Sequence, residues 1–378
     1  MFVSHTGDVS GAELVLLDVV QPWGGASAFL FEDGPLRQAL ASRGLYVTVL
    51  RWGQGLTQVR RDSPILKIVP LVGRLCAIVI ELARAARGRD VVYANSQKGF
   101  VLSAIATTLA RRPLIWHLHD IISGAHFGAM QRRIQVALAN FCASQIIVPS
   151  QAAADAFVAE GGRKALVAVV PNGLDVALDN KLPAEIRHEL GLPDGPLIGV
   201  FSRLAAWKGQ HVVLQALLQL PGVSCIIAGD AMFGEQAYAA KLNKMVDDLG
   251  LAGRVHFLGQ RSDVPRLMQA VDAVIHPSID PEPFGRTLVE AMLAGVPVIA
   301  SDTGAASDIL EAGKAGTLVA PGDADALAHA VKRVLSKPAE LGGQLDYAIL
   351  RARSQYGVEH MLQAISGLIS RVAAGTMA

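Results

Sequence analysis

Two glutamates flank the predicted start of a helix in the last third of the chain. Apolar periodicity predicts a helix over 286–293, so Glu282 lies in the loop before it and Glu290 more than one turn inside it. The first N–H groups of a helix have no partner within it, and residues 285–288 therefore predict an anion site, where Gly285 lets a ligand approach the backbone closely. The two carboxylates are positioned to accept hydrogen bonds from hydroxyls at both ends of a diphosphate-linked ligand.

A second pair of anion-binding residues follows the predicted strand 197–201. Arg203 offers a planar fork for phosphate oxygens, and Lys208 offers a point charge. Taken alone, two cations in such a loop are more often surface residues, and two acids around a helix start are more often a cap and a solvated glutamate. Together, in this order and within one α/β domain, the two patterns indicate a site for a nucleoside diphosphate sugar.

The elements that must position these residues alternate between short apolar runs and longer segments rich in alanine and leucine. Such runs are typical of parallel strands buried on both faces and separated by helices, which predicts an α/β architecture. The predicted strands are 46–50, 90–94, 114–117, 145–148, 197–201, 223–228, 255–257, 273–276 and 298–300.

Turn-forming residues crowd into one stretch, 176–196, where we place the connection between two domains. The predicted domains are 1–178 and 184–356, each a Rossmann-like doubly wound parallel sheet. Two such domains would face a central cleft at the carboxyl ends of both sheets. A last apolar helix within 357–378 could pack on either domain, and we assign it to the first.

Composition describes a globular chain that is 51% hydrophobic and 18% charged, with a mean hydropathy of +0.37. The most apolar region, 64–83, is interrupted by charged residues and proline, far short of the ~20 apolar residues of a membrane span. The N-terminus lacks the pattern of a signal peptide. Three cysteines are widely spaced without a C-x-x-C pattern, which predicts a reduced cytoplasmic chain without disulfides or structural zinc.

Basic residues are concentrated in the first half of the chain. Residues 51–133 hold 13 lysines and arginines against 4 acidic residues. This excess fits contact with an anionic membrane or a phosphorylated ligand, and equally fits solvated helix faces. Aromatic residues are not interleaved with the basic ones and no binding motif is present, so nucleic acid is not a predicted partner.

These motifs together resemble glycosyltransferase family 4, a family of retaining enzymes with the GT-B fold. The family carries an Arg-x4-Lys-Gly element, which residues 203–209 match. It also carries a Glu-Pro-Phe-Gly loop within a Glu-x7-Glu motif, and residues 282–300 match this region almost position for position. Further similar segments are the Gly-rich loop at 10–13, the segment 171–175 before the connection, and the loop 257–259.

The resemblance implies transfer of a sugar from a UDP- or GDP-sugar to a hydroxyl of a glycan, lipid-linked or small-molecule acceptor, without a metal cofactor. The first domain would bind the acceptor and the second the donor, in bacterial-type polysaccharide or glycoconjugate synthesis. The cysteine pattern and the basic stretch 51–133, rather than the resemblance, predict an enzyme of the cytoplasm that is peripheral on the inner face of the membrane.

The resemblance also implies individual roles. Arg203 and Lys208 would bind the diphosphate, Glu290 the ribose hydroxyls and Glu282 the hydroxyls of the donor sugar. His119 would lie beside that sugar, after the strand 114–117. The other implied donor contacts are Gly11, Leu258, Gly259, Arg261, Phe284, Gly285, Thr287 and Leu288.

Several departures and alternatives stay open. Ser202 stands where the family often has glycine, and the strand before the Gly-rich loop is barely present, which predicts a short N-terminus. Asp323 and Asp325 form a D-x-D pattern, for which a helix cap is predicted rather than a metal site. The alternative functions are a sugar-nucleotide epimerase, a catalytically silent membrane-surface protein and a glycosidase, against which the cations at 203 and 208 argue. An NAD oxidoreductase would need the G-x-G-x-x-G fingerprint, which the sequence lacks.

Overall fold

The computed structural model describes residues 1–50, 72–125, 127–232 and 234–375. The chain forms two compact units: Met1–Gly173 with Val358–Ala378, and Leu174–Gly357, hereafter the first and the second unit. The basic stretch 51–133 and the apolar region 64–83 fall partly on residues 51–71, which lie outside the described residues.

The first unit is built on one parallel sheet. Its strands are β1 (Phe2–Ser4), β2 (Ser27–Leu30), β3 (Tyr46–Val49), β4 (Val92–Ala94), β5 (Leu114–His117), β6 (Gln145–Val148) and β7 (Val167–Val169). Within the described residues these strands pair in the order β3-β2-β1-β4-β5-β6-β7. The order reverses between β1 and β4, so the loops after these two strands diverge at the carboxyl edge, where open α/β sheets bind ligands.

Helices cover both faces of this sheet. They are α1 (Gly11–Val19), α2 (Pro35–Ala41), α3 (Val72–Ala86), α4 (Gln97–Ala110), α5 (Ala129–Cys142), α6 (Gln151–Ala159) and, from the end of the chain, α15 (Val358–Ala373). Alternate strand residues point to opposite faces, so Val3 and Trp116 pack against α3 to α6, whereas Phe2 and Ile115 pack against α1, α2 and α15. The last apolar helix therefore packs within the first unit.

The second unit repeats this plan. Its strands are β8 (Leu197–Phe201), β9 (Ser224–Ala228), β10 (Val255–Gly259), β11 (Ala273–His276), β12 (Val298–Ser301) and β13 (Thr317–Val319). In the described residues they pair in parallel in the order β10-β9-β8-β11-β12-β13, which reverses between β8 and β11. The helices on its two faces are α7 (Pro183–Leu190), α8 (Gln210–Ala216), α9 (Gln236–Asp248), α10 (Val264–Gln269), α11 (Arg286–Leu293), α12 (Ala306–Ile309), α13 (Ala324–Ser336) and α14 (Gly342–Gln355).

The α/β architecture with parallel sheets is confirmed, and every predicted strand is present, with ends that differ from the prediction by at most two residues. Strands β2, β7 and β13 were not predicted, because they are three or four residues long and give no extended apolar run. The stretch 176–196, predicted as a turn-rich connection, contains helix α7. Pro183 occupies its first turn and Arg187 forms an ion pair of 2.8 Å with Asp272.

Of the helices that the structure describes, none is both long enough and apolar enough to cross a membrane.

Candidate functional site

The two predicted anion motifs lie side by side at the point where the second sheet reverses its order. The loop with Arg203 and Lys208 follows β8, and the loop with Glu282 follows β11, which pairs with β8 in parallel. The backbone N–H of Ile279 donates to the carbonyl of Trp207 at 2.8 Å, so the two loops are hydrogen-bonded to each other. Strand order thus brings together residues that are more than seventy positions apart in the sequence.

Glu282 is buried, with 7% of its surface exposed, and its Oε1 is surrounded by donors. The Lys208 ammonium forms an ion pair with this oxygen, and Ser278 Oγ donates to it at 2.6 Å. His276 Nε2 lies 3.3 Å from the same atom. These three contacts to the carboxylate therefore converge on Oε1.

The charge on Glu282 is maintained by its neighbours. Burial by itself raises the pKa of this carboxyl, but the Lys208 ammonium and His276 oppose burial and hold the pKa well below its usual value. Glu282 is therefore an ionised acceptor at neutral pH.

Two glycines allow the backbone to pack this closely. Gly209 has φ +72°, and a Cβ there would lie 1.9 Å from the carbonyl oxygen of Pro277. Gly304 has φ +59°, and a Cβ there would lie 2.3 Å from the backbone nitrogen of Glu282. The neighbouring N–H of Ala305 donates to the Glu282 carbonyl at 3.0 Å, so the segment after β12 fixes the backbone that carries the glutamate.

Helix α11 begins directly after Gly285, which has φ +79°. The bounds predicted for this helix are confirmed. The N–H of Leu288, one of the predicted anion donors, donates to the Gly285 carbonyl at 3.0 Å. Leu288 is fully buried. Thr287 Oγ1 lies 3.2 Å from His276 Nδ1, which links the first turn of the helix to the end of β11.

Glu290 lies on α11, one turn after Arg286, and their charged groups are 3.6 Å apart. Burial raises the pKa of Glu290, and the Arg286 guanidinium only partly offsets this effect. The two predicted glutamates thus sit in different environments. Glu282 is firmly ionised, whereas Glu290 takes up a proton more readily as the pH falls.

The loop after β8 is supported from within the second unit. Buried Gln210 donates to Ser202 Oγ at 3.0 Å and to the carbonyl of Arg203 at 2.9 Å. The serine that replaces the family's glycine therefore anchors this loop to α8. Both cations lie near the ring of Trp207, with the Arg203 guanidinium 5.4 Å and the Lys208 ammonium 4.4 Å from the ring centroid.

The remaining residues predicted in the second unit lie at the same edge or close to it. Leu258 and Gly259 end β10, and the Gly259 carbonyl accepts from the N–H of Gly229 at 2.8 Å. Arg261 forms a bidentate pair with Asp263, at 2.8 and 2.7 Å, so its fork is already occupied by a carboxylate. The Phe284 ring is buried 5.7 Å from the ring of Tyr356, which leaves its backbone as the part suited to ligand contact.

In the first unit, His119 follows β5 and its Nε2 lies 3.0 Å from Asn95 Oδ1. Burial lowers the pKa of His119 to about 3, so its imidazole is neutral at physiological pH. His117, predicted to lie in the core, is fully buried, with its Nδ1 2.6 Å from the Tyr93 hydroxyl. The rings of the two histidines are 3.9 Å apart.

Gly11 is the first residue of α1, and a Cβ built there meets no atom within 4 Å. The space beside it is therefore open. Gly7, in contrast, is required by the protein itself, because a Cβ there would lie 2.4 Å from the backbone of Asp33. The buried carboxylate of Glu13 accepts a hydrogen bond from the hydroxyl of Ser10, the residue before the helix, and thereby holds the loop in place.

Sequence reasoning missed His276, Ser278 and Asn95 as parts of these clusters. Each is a polar residue at or just after the carboxyl end of a buried strand, β11 for the first two and β4 for the third. That position was the available signal, because loops at this edge line ligand sites in open α/β sheets.

The predicted helix cap at the D-x-D pattern is confirmed, since Asp323 accepts from the N–H of Ala326 at 2.9 Å at the start of α13. Asp325 accepts from the Gln219 amide. In the part of the chain that the structure describes, no group of three or more histidine, cysteine or acidic side chains is arranged to hold a metal ion.

Comparison with known proteins identifies the family. A family model described as Glycosyltransferase Family 4 matches residues 23–178, and one described as Glycosyl transferases group 1 matches residues 184–368. The crystal structure of HepE from Anabaena in complex with UDP-glucose is 39% identical, with a TM-score of 0.85 over 98% of both chains. The chain belongs to glycosyltransferase family 4. It has the GT-B fold of that family, as predicted.

Curated relatives of this family 4 protein include the 2-deoxystreptamine glucosyltransferase of Streptomyces kanamyceticus, which is 33% identical over 53% of this chain and 53% of its own length. The lipopolysaccharide core mannosyltransferase LpsB of Rhizobium meliloti is 29% identical over 57% of this chain and 65% of its own length. The chain thus spans between about half and two thirds of these curated relatives.

Proposed function

We propose that this protein is a retaining hexosyltransferase that moves a sugar from a nucleoside diphosphate sugar to an acceptor hydroxyl. The observation that carries the proposal is the meeting of the Arg203–Lys208 loop with the Glu282 loop at the switch point between β8 and β11. Cations for a diphosphate and carboxylates for hydroxyls then lie at one sheet edge, which is the chemistry of a nucleotide sugar.

The donor is a UDP- or GDP-sugar. Support for UDP comes from HepE, whose structures contain UDP, UDP with glucose, and UDP-glucose at 38–39% identity. In the proposed complex Glu290 accepts from the ribose hydroxyls, while Arg203 and Lys208 bind the diphosphate. Backbone groups of residues 284–287 contact sugar and phosphate, and residues 258, 259 and 261 lie at the base.

Glu282 holds the donor sugar in this proposal. Its Oε1 is engaged by Lys208, Ser278 and His276, and its Oε2 accepts from a sugar hydroxyl. A carboxylate held in this way serves as a fixed acceptor, and we assign no covalent nucleophile to the reaction. Because Lys208 already pairs with Glu282, an arriving phosphate shares this ammonium, which couples the sugar end of the site to the phosphate end.

Catalysis is electrostatic in this scheme. The transition state places positive charge on the sugar and negative charge on the departing diphosphate, and the cations at 203 and 208 stabilise the leaving group. The acceptor attacks from the face that the leaving group vacates, and a phosphate oxygen assists its deprotonation. No metal cofactor is part of the proposal, since fixed protein cations meet the phosphate charge.

We assign acceptor binding to residues 1–178 and donor binding to residues 184–356. His119 contacts the transferred sugar as a neutral imidazole, and the space beside Gly11 admits a ligand. The acceptor is a glycan, a lipid-linked molecule or a small molecule in polysaccharide or glycoconjugate synthesis. The proposed location is the cytoplasm, with peripheral contact to the inner face of the membrane.

A panel of UDP-, GDP- and ADP-sugars tests the donor assignment by thermal stabilisation and by slow donor hydrolysis. We expect a UDP- or GDP-sugar to raise the melting temperature, and stabilisation by none of them would contradict the proposal. NMR of the first sugar released from an α-linked donor tests retention, since the α-anomer must form first. Conversion of the donor into another nucleotide sugar, without hydrolysis or transfer, would instead support the epimerase.

A further inference from the structure

Helices α3, α4 and α5 form one layer on the first sheet. Their inward residues, among them Ile78, Phe100 and Val136, pack into a single core with the strands. Helix α4 contacts both of the other helices. Side chains of these helices that point away from this core therefore share one outer surface, named here the α3–α5 face.

The α3–α5 face is unusually apolar. Phe141 is 89% exposed, Met130 63% and Leu109 58%, and three isoleucines on the same helices are about half exposed, namely Ile80, Ile105 and Ile134. Met130, Ile134 and Phe141 lie on one stripe of α5, because they are separated by four and seven residues. Single exposed apolar residues are common on monomers, but six on three adjoining helices form a patch of the kind that marks an interaction surface.

The exposed charged residues on these three helices have one sign. In the described structure the exposed charged residues of the three helices are Arg74, Arg84 and Arg133, and residues 111–112, both arginine and both exposed, follow directly after α4. Glu81, half-buried on α3, is the one acidic residue that these described helices contain. An apolar surface with arginines around it is complementary to a layer that is apolar inside and anionic at its surface.

We infer that the α3–α5 face docks on an anionic phospholipid membrane. The apolar side chains enter the boundary between headgroups and acyl chains, and the arginines pair with lipid phosphates. A second copy of the chain is a poorer occupant, because a two-fold contact through this face would set arginines against arginines. The inference deepens the proposed function by bringing the enzyme to lipid-linked acceptors, and it rests on that function for this consequence alone.

Liposome flotation of the full-length protein tests the inference. We expect binding to phosphatidylcholine vesicles that contain phosphatidylglycerol, weaker binding at high salt, and weak binding to phosphatidylcholine alone. Phe141→Ser should lower the partition coefficient roughly tenfold, since the free energy of burying a large apolar side chain corresponds to about that factor. The matched control is Leu350→Ser, which changes a residue of the second unit that is 67% exposed and should leave binding unchanged.

Two arginine variants test the electrostatic part of the inference. Arg133→Gln should reduce binding to the anionic vesicles several-fold, whereas Arg353→Gln, at an exposed position of the second unit, should not. Absence of flotation, equal binding by Phe141→Ser, or equal loss in Leu350→Ser would overturn the inference. A wild-type dimer that Phe141→Ser dissociates in analytical ultracentrifugation would instead assign the face to a second copy.

Thermal stabilisation by nucleotide sugars separates the two proposals. Wild-type protein that floats on anionic vesicles but is stabilised by no nucleotide sugar would retain the docking face and refute the proposed function. Protein that is stabilised by a nucleotide sugar but does not float would support the proposed function and refute the docking of the α3–α5 face.

Discussion

The pairing of Lys208 with Glu282 makes a quantitative prediction. Lys208→Met removes the cation and leaves a buried carboxylate that is 7% exposed, with Ser278 and His276 as its remaining partners. Breaking a buried ion pair by removing one partner typically costs about 3–5 kcal/mol. We therefore expect Lys208→Met to lower the free energy of unfolding of the second unit by roughly that amount at pH 7.

The loss of stability in Lys208→Met should depend on pH, in a direction that follows from the pKa of Glu282. In the wild type the pKa of Glu282 lies well below its usual value, so the pair stabilises the fold at neutral pH and this contribution is lost as the pH falls through the folded-state pKa. Without Lys208, burial raises the pKa of Glu282, and protonation relieves the buried charge as the pH falls. The deficit of the variant should therefore shrink between pH 7 and pH 5.

Urea unfolding followed by hydrogen-exchange mass spectrometry measures the effect, with peptides from β8 and β11 reporting on the second unit. Lys208→Met with Glu282→Gln should be less destabilised than the sum of the two single variants, because the double variant buries no unpaired charge. Lys337→Met is the matched control, since its pair with Glu340 is exposed and should contribute nothing measurable. A deficit that does not change with pH, or strict additivity, would refute the reasoning.

Three further predictions concern the other clusters. Glu290→Gln should weaken nucleotide-sugar binding about tenfold at pH 8. Wild-type binding should weaken toward pH 5, because protonation of the Glu290 carboxyl, whose pKa is raised, removes a hydrogen-bond acceptor, and the variant should not show this pH dependence. Equal pH profiles of the two proteins in calorimetry would contradict ribose binding by Glu290. Gly304→Ala should lower the melting temperature by about 5 °C, since the added Cβ would clash with the backbone of Glu282. An unchanged melting temperature would show that the backbone at Gly304 can shift to accommodate the Cβ. The first unit should lose stability between pH 7 and pH 5, and His119→Asn should make that loss about 2 kcal/mol smaller, because the pKa of His119 is about 3 in the folded state and 6.5 in the unfolded state. Unfolding curves at the two pH values check this, and an equal loss in the variant would count against a neutral imidazole at this position.

Long apolar strands were predictable because burial on both faces leaves a continuous run in the sequence. Strands such as Leu197–Phe201 and Ala273–His276 are of this kind and were predicted with the observed ends. Edge strands are different. Val167–Val169 and Thr317–Val319 are short and only partly buried, so composition does not separate them from loops.

The site was predictable as a set of residues but not as a set of contacts. Helix periodicity gave the start of α11, and charge type indicated the anion chemistry of residues 203 and 208. The pairing of Lys208 with Glu282 depends on β8 lying next to β11, a neighbour relation that no local pattern encodes. Likewise, the hydrogen bond from the N–H of Leu288 to the carbonyl of Gly285 could not be predicted from helix periodicity.

The central claim is that the edge between β8 and β11 binds a nucleoside diphosphate sugar. Its most direct test is calorimetric titration of the nucleotide sugar that gives the largest thermal stabilisation into wild type, Glu290→Ala and the exposed control Glu340→Ala. Saturable binding by wild type and control, with at least tenfold weaker binding by Glu290→Ala, is the predicted result. Equal binding by wild type and Glu290→Ala, or no binding by the wild type, would contradict it.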